Sequence, residues 1–249
     1  MVDDANRTLI RLVKDKELLR ERRIFMIQFF HSDEAWHNLE PLRPGGHMLG
    51  RSSFRSDHPA VQSVAEEHVK FEQEGEQLFV EEGQTINGVY RDVPPGQPVE
   101  LVSGTRFQVG QHKIEFATAD AGDLARPLVS SGSETFRSRA LVPLAYLDFL
   151  GPDGCTCARV PLTKAEGTVI GRGEGKPCDI ELTGDTSASR AHARVFARQG
   201  RFFLEDLRSL NGTFIRIPSR TLLRTGRAHD KSAIDVLLLG EILIRVVET

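Results

Sequence analysis

The sequence contains one arrangement of residues twice, about half a chain apart. In each copy a Gly-Arg pair comes first, a histidine follows, and an Asn-Gly pair begins 19 residues after the histidine. Because separate marks recur in one order with an identical interval, we predict two tandem domains of one fold. The marks are Gly50-Arg51, His68 and Asn87-Gly88 in the first copy, and Gly171-Arg172, His192 and Asn211-Gly212 in the second.

Short segments rich in β-branched and aromatic residues occur in both copies, and charged or glycine-containing turns separate them. Segments of this kind at about ten-residue spacing are typical of a β-sandwich. The sequence therefore predicts an all-β fold with two sandwiches. The segments are residues 69–71, 77–81, 107–109, 113–116, 193–196, 202–205, 236–239 and 242–247.

Two stretches outside the copies have a different pattern. Residues 6–23 place Leu9, Leu12 and Leu19 near one face of a helix. A helix packed on the first domain, a partner-binding or dimerising helix and a membrane-surface helix all fit this pattern. Residues 117–140 are rich in Ala, Ser and Gly without periodicity, which is typical of an exposed linker. We predict an N-terminal helix at 1–23, a first domain at 24–117, a linker at 118–140 and a second domain at 141–249.

Composition restricts the classes of partner. The 249 residues include 32 Lys and Arg against 35 Asp and Glu, a net charge of −3, so no general field attracts nucleic acid. The longest apolar stretch, residues 236–247, is interrupted by Glu241 and Arg245 and is too short to cross a bilayer. The acidic start does not resemble a signal peptide. We expect a cytoplasmic protein with no nucleic-acid partner and no membrane insertion.

No feature of the sequence indicates an enzyme. Cys155, Cys157 and Cys178 are odd in number and lack the spacing of a zinc site, so we expect reduced thiols. Walker, HExxH, protein-kinase and GxSxG motifs are absent. The glycine-rich run at 171–175 lacks the lysine of a P-loop and fits a turn between strands. We expect no catalytic residue, no metal and no cofactor.

The second copy contains further residues in a fixed order around the repeated marks. The order is Gly171-Arg172, Ser189-Arg190, His192, Leu207, Ser209 and Asn211-Gly212-Thr213-Phe214. This pattern resembles the signature of forkhead-associated (FHA) domains, over about residues 141–249. The resemblance implies a β-sandwich whose loops at one end bind phosphothreonine peptides. It implies that the phosphate and peptide contacts are Arg172, Ser189, Arg190 and Asn211.

The same residues suit a phosphate reader on chemical grounds. A phosphothreonine carries about −1.5 to −2 charges and three acceptor oxygens. Arg172 and Arg190 offer guanidinium groups, and Ser189 offers a hydroxyl donor. The amide of Asn211 both donates and accepts, which suits the backbone of an extended peptide.

Other residues of the motif are expected to hold the loops. The resemblance implies that His192 is a buried brace and not a catalytic histidine, and we assign the same task to Asp206 and Ser209. Gly212 supplies the positive φ that an Asn-Gly turn needs. Gly171 belongs to the same bracing set.

The first copy differs at the positions that matter for phosphate. Ala65 and Glu66 occupy the places of the Ser-Arg pair. The equivalents that remain are Arg51, His68 and Asn87. A carboxylate about 5 Å from a phosphate charge repels it by roughly 1–3 kcal/mol. We expect that the first domain does not bind phosphate and serves as a scaffold or protein-contact surface. The alternative is a divergent phosphopeptide site based on Arg51 and Ser52.

The sequence therefore predicts a phosphothreonine-dependent adaptor in Ser/Thr kinase signalling. Its partner is a threonine-phosphorylated protein or the kinase itself. The alternative is a phosphorylation-independent structural subunit of a multiprotein assembly, which the degenerate first copy favours. A further hypothesis is an internal ligand, the protein's own phosphorylated tail or linker, at an effective concentration of up to about millimolar.

Overall fold

The computed structural model describes residues 25–30, 35–43, 45–54, 59–119, 143–175, 178–230 and 234–249. This part of the chain consists of β-strands, their connections and two short 3-10 helices, Arg51–Ser53 and Pro59–Ser63. The all-β prediction is confirmed. The predicted helix at 1–23 and the predicted linker at 118–140, apart from residues 118 and 119, lie outside the described residues.

Side chains along most strands alternate between buried and more exposed positions, as the two-residue period of a strand requires. In β14, for example, Ala193 and Val195 are buried while the residues between and after them are not. In chain order the strands are β1 Phe25–Phe30, β2 Trp36–Pro41, β3 His47–Leu49, β4 Glu67–Glu74, β5 Gln77–Gln84, β6 Val89–Asp92, β7 Val99–Leu101, β8 Arg106–Val109, β9 His112–Thr118, β10 Ala145–Leu150, β11 Thr156–Leu162, β12 Thr168–Gly171, β13 Ile180–Glu181, β14 Ala193–Arg198, β15 Arg201–Asp206, β16 Thr213–Arg216, β17 Thr221–Leu223, β18 Gly226–Arg227, β19 Val236–Leu239 and β20 Ile242–Glu248.

The chain forms two compact units, and the first, unit 1, combines the chain up to Val89 with the chain from Ile217 onwards. One of its sheets has the order β3-β4-β5-β17, and the other has the order β19-β20-β1-β2 with β18 beside β20. Buried apolar side chains from both sheets form one core, for example Val69 and Phe71 of β4 with Ile244 and Val246 of β20. Unit 1 is therefore a β-sandwich.

Unit 2 consists of Tyr90–Arg216. One of its sheets has the order β13-β12-β14-β15-β7, and the other has the order β11-β10-β9-β8-β16-β6. The core again takes apolar side chains from both sheets, among them Ile170 and Leu204 from the first and Phe107 and Phe116 from the second. Unit 2 is a second β-sandwich with its own core.

The two units do not follow the boundaries 24–117 and 141–249 that the repeat predicts. Unit 1 combines β1–β5 of the first copy with β17–β20 of the second, and unit 2 combines β6–β9 of the first copy with β10–β16 of the second. The β19-β20 hairpin lies in unit 1, and the β8-β9 hairpin lies in unit 2. Each hairpin turns at a left-handed glycine, Gly240 or Gly110. Strands β8 and β9 alternate buried and more exposed residues, whereas β19 and β20 are apolar along most of their length. A repeated sequence thus supplies two hairpins that can fill the same place in a sandwich.

Within the described residues, no helix has the length and apolar character that a membrane crossing requires.

Candidate functional site

Three loops of unit 2 meet at one end of its sandwich. They follow β12, β13 and β15, and short hydrogen bonds connect them. The backbone N–H of Arg172 donates to Ser189 O at 2.9 Å. The side-chain amide of Asn211 donates to Ser187 O at 2.8 Å, and the Leu210 N–H donates to Ser189 Oγ at 2.9 Å. The structure therefore brings residues of all three loops into one cluster.

The first of these loops requires a glycine where it leaves β12. A Cβ atom at Gly171 would lie 2.3 Å from the backbone oxygen of Arg190. The next glycine, Gly173, donates its N–H to the same oxygen at 3.1 Å. This close approach places the backbone at Arg172 beside the Ser189-Arg190 segment.

His192 fixes the second loop to the third. It is fully buried. Its Nδ1 accepts a hydrogen bond from the Ser189 N–H at 3.0 Å, and its Nε2 lies 3.0 Å from Gly212 O. These partners require a neutral ring with the proton on Nε2. Burial lowers the pKa of His192, which favours this neutral form.

Asp206, at the end of β15, organises the third loop. Its buried carboxylate accepts hydrogen bonds from the Ser209 N–H at 3.0 Å, from the Ser209 hydroxyl at 2.6 Å and from the Thr213 hydroxyl at 2.6 Å. Gly212, with φ 82°, completes the turn. The Asp206 carboxylate therefore lies inside the loop, bound to its own neighbours.

The two arginines keep donors unengaged. Arg172 Nε lies 3.0 Å from Glu174 Oε2 without the alignment of a hydrogen bond. Its two terminal nitrogens donate to none of the described residues. Arg190 is exposed, and its side chain has no partner in the part of the chain that the structure describes.

Ser189 and Asn211 also keep hydrogen-bonding capacity. The Ser189 oxygen accepts from the Leu210 N–H, so its hydroxyl hydrogen can still be donated to a ligand. Asn211 is exposed and uses its amide nitrogen on Ser187 O, and its Oδ1 receives no hydrogen bond from the described residues. The cluster thus offers two cationic groups, one hydroxyl donor and one amide acceptor.

Asp185 is a brace that the sequence reasoning missed. This buried carboxylate accepts hydrogen bonds from the Ser187 N–H at 2.8 Å and from the Gln111 N–H, in the β8-β9 turn, at 2.9 Å. Burial acts to raise the pKa of Asp185, but hydrogen bonds from Ser187 and Gln111 outweigh burial and lower it. Asp185 is a single Asp in a loop, and its partner Gln111 lies 74 residues away in the sequence. No local sequence pattern therefore indicates its bracing role.

Unit 1 repeats the bracing geometry. His68 Nδ1 accepts from the Ala65 N–H at 2.9 Å, and His68 Nε2 lies 3.0 Å from Gly88 O. The Asn87 amide donates to Ser63 O at 2.8 Å. The same bonds therefore hold the corresponding loops in both units.

The arginine of unit 1 is used differently. Arg51 Nε donates to Val64 O at 2.9 Å, and its Nη2 lies 3.5 Å from Gln62 O. Its remaining nitrogen, Nη1, lies 3.5 Å from Glu66 Oε1. All three nitrogens of this guanidinium therefore face oxygens of unit 1. Ala65 has no hydroxyl to add to this end of the unit.

The cluster in unit 2 is suited to a tetrahedral oxyanion, because cationic donors and a neutral donor converge on its loops. Among the described residues, no group of three or more His, Cys, Asp or Glu side chains is arranged to hold a metal ion.

Comparisons with known proteins point to one family. The FHA domain family matches residues 168–235. One similar solved structure is an FHA domain from a structural and functional analysis of phosphothreonine-dependent FHA domain interactions, with 21% identity over 38% of this chain and 94% of that chain, and a TM-score of 0.23. Another is the FHA domain of CT664 protein from Chlamydia trachomatis, with 27% identity over 38% and 88%, and a TM-score of 0.21.

A third similar structure is the FhaA FHA domain complexed with the intracellular domain of Rv3910. It has 26% identity over 38% of this chain and 92% of that chain, with a TM-score of 0.20. No curated protein matches the sequence. The matched stretch, residues 168–235, includes Arg172, Ser189, Arg190 and Asn211. The stretch that contains the loop cluster of unit 2 therefore matches the FHA domain family.

Proposed function

We propose that the loop end of unit 2 binds a phosphothreonine side chain of a partner protein, and that the protein is an adaptor in Ser/Thr kinase signalling. The observation that carries this proposal is that Arg172, Ser189 and Arg190 lie on hydrogen-bonded loops at one end of unit 2 with donors left unengaged. Donors of this kind, held apart from internal partners, are what a dianionic ligand with three acceptor oxygens needs. The FHA match over these residues supports the same role.

Each contact residue has a separate task in this proposal. The terminal nitrogens of Arg172 and the guanidinium of Arg190 bind phosphate oxygens, and the Ser189 hydroxyl donates to a third oxygen. Asn211 holds the peptide backbone through Oδ1, while its amide nitrogen keeps the loops together. The function is binding, with no catalytic step assigned to any residue.

Unit 1 is, in our proposal, a second and degenerate FHA-type sandwich. Its braces His68 and Asn87 are in place, but Arg51 is taken up by backbone oxygens and by Glu66. Releasing this arginine to a ligand would break those contacts. We therefore assign unit 1 a role as scaffold or protein-contact domain.

The ligand is a threonine-phosphorylated protein or a Ser/Thr kinase in the cytoplasm. The protein's own tail or linker, once phosphorylated, is a further source of the same chemistry, favoured by tethering.

A second candidate function is that of a phosphorylation-independent structural subunit. The contacts that Arg51 makes inside unit 1 favour this second candidate. They leave unit 1 with a folded loop end but without a free hydrogen-bond donor for a phosphate. In this alternative both sandwiches act as permanent surfaces in an assembly.

Capture of a partner before and after phosphatase treatment separates the two candidates. The adaptor proposal predicts that tagged wild-type protein loses its partner after phosphatase treatment, and that Arg172→Ala and Ser189→Ala proteins fail to capture it. Arg51→Ala is the matched control and should behave as wild type. A complex that survives phosphatase and both substitutions would favour the structural subunit.

A further inference from the structure

A carboxylate lies directly beside the arginine that we assign to phosphate. Glu174 Oε2 is 3.0 Å from Arg172 Nε. The Glu174 side chain is 57% exposed, whereas the Arg172 side chain is 23% exposed. The pair therefore stands at the rim of the loop cluster, with the carboxylate on its solvent side.

The backbone at Glu174 is unusual for a residue with a side chain. Its φ is 42°, in the left-handed region, and its neighbours Gly173 and Gly175 have φ values of 77° and 86°. Non-glycine residues adopt this region at a cost. A glutamate at a place that favours glycine suggests that its side chain has a task, and its contact is with Arg172.

The negative charge of Glu174 affects how strongly the site attracts a phosphate. Arg172 and Arg190 contribute two positive charges, and Glu174 removes one. A phosphothreonine brings about −1.5 to −2 charges near neutral pH. Glu174 therefore reduces the positive charge that Arg172 presents to this ligand.

The pairing of Arg172 differs in kind from that of Arg51. Arg51 is held by backbone oxygens of Val64 and Gln62 in addition to Glu66. Arg172 contacts one exposed carboxylate, that of Glu174, and only its Nε makes this contact. Backbone oxygens stay in place when a ligand arrives, but an exposed glutamate can rotate into water. The Arg172 pairing is reversible in a way that the Arg51 pairing is not.

We propose that Glu174 is an internal competitor for Arg172 that lowers the affinity of the loop cluster for phosphate. This inference rests on the proposed phosphothreonine function of unit 2. In the free protein Glu174 pairs with Arg172. When the peptide binds, its phosphate accepts from the terminal nitrogens of the guanidinium whose Nε faces Glu174, and the two anions repel each other.

The test compares Glu174→Gln with wild type by fluorescence anisotropy on a degenerate phosphothreonine peptide pool and its unphosphorylated twin. We expect Glu174→Gln to bind the phosphorylated pool about threefold to tenfold more tightly, with no gain for the unphosphorylated pool. Glu166→Gln, at an exposed glutamate before β12, is the matched control and should equal wild type. In an Arg172→Ala background the Glu174→Gln gain should shrink, because only the repulsion between Glu174 and the phosphate is then left to remove.

The possible results separate this inference from the function on which it rests. If wild type binds only the phosphorylated pool and Glu174→Gln binds it equally or more weakly, Glu174 is not a competitor for Arg172. The proposed phosphothreonine function is then unaffected. A gain that is undiminished in the Arg172→Ala background also overturns the competitor role of Glu174. If no protein in the series distinguishes the two pools, both the competitor and the phosphothreonine function are wrong. Binding detected for Glu174→Gln alone supports both.

Discussion

His192 shows how one buried side chain can control the geometry of the site. Its ring accepts from the Ser189 N–H through Nδ1 and reaches Gly212 O through Nε2. A proton added to Nδ1 would face the Ser189 N–H, donor against donor. The loop cluster therefore depends on the neutral ring.

This dependence predicts a loss of stability in acid. Burial lowers the pKa of His192 in the folded protein, whereas the unfolded chain takes up the proton near the ordinary value of 6.5. Below that pH the unfolded state binds more protons, so the free energy of unfolding falls. We expect the advantage of wild type over His192→Asn to shrink by about 1 kcal/mol or more between pH 7.5 and pH 5.

Urea unfolding of both proteins at the two pH values measures this change. His229→Asn, at an exposed histidine, is the control and should track wild type at both. An advantage of wild type over His192→Asn that is the same at pH 7.5 and pH 5 contradicts the account.

The residues that sequence reasoning could find are those with a local signature. His192 and Asn211 stand at fixed spacings in a repeated motif, so their involvement is readable without coordinates. The Glu174 contact depends on a left-handed turn, and the Asp185 contact depends on a turn from the other half of the chain. The glycines on both sides of Glu174 indicate a turn but not its contact with Arg172, and nothing in the sequence near Asp185 indicates its contact with Gln111.

The β8-β9 hairpin acts on the site as an element. Its turn donates the Gln111 N–H to Asp185, and Asp185 in turn holds the loop that includes Ser187. A Cβ atom at Gly110 would lie 2.2 Å from Asp185 Oδ2, so the turn and the carboxylate are in close contact. The hairpin thereby supports the loop that presents Ser189 and Arg190.

Two glycine substitutions separate this support from ordinary backbone strain. Gly110 and Gly104 both have left-handed φ values, 57° and 87°, but a Cβ atom at Gly104 would meet nothing within 4 Å. We expect Gly104→Ala to cost about 1 kcal/mol of unfolding free energy and to leave phosphopeptide affinity unchanged. Gly110→Ala should cost more and should also weaken binding, because it displaces Asp185.

Urea unfolding and peptide anisotropy on the same two variants provide the measurement. Equal losses of stability, with affinity retained in both, would show that the hairpin does not support the binding loop.

At the scale of the whole molecule, the two sandwiches exchange their final strands. Unit 2 ends at Arg216, although the FHA match continues to residue 235 into strands that unit 1 contains. The repeat predicts that there are two sandwiches, and the alternation predicts their strands. It cannot predict which hairpin closes which sandwich, because β8-β9 and β19-β20 are both strand pairs around a glycine turn and neither contains a local pattern that identifies its partner strands. That choice is made by contacts between residues far apart in the chain.

The exchange has a direct consequence for cleavage between residues 120 and 140. Each unit contains strands from both sides of this cut. We therefore expect the two fragments of a protein cleaved there by an inserted protease site to stay together under native conditions and to elute as the intact 27.7 kDa protein does. They should separate only in denaturant.

Size-exclusion chromatography before and after cleavage makes this measurement. Two self-contained domains at 24–117 and 141–249 would come apart at the cut and elute as two smaller species, which would rule out the exchange.

The proposed function requires that the loop end of unit 2 binds phosphothreonine and that the loop end of unit 1 does not. Fluorescence anisotropy of a degenerate phosphothreonine peptide pool and its unphosphorylated twin, with wild type, Arg172→Ala and Arg51→Ala, tests it most directly. The account predicts saturable binding of the phosphorylated pool alone, reduced at least about tenfold by Arg172→Ala, since a charged hydrogen bond contributes about 1.5–3 kcal/mol, and unchanged by Arg51→Ala. Equal binding of both pools by wild type, or a loss with Arg51→Ala in place of Arg172→Ala, would contradict it.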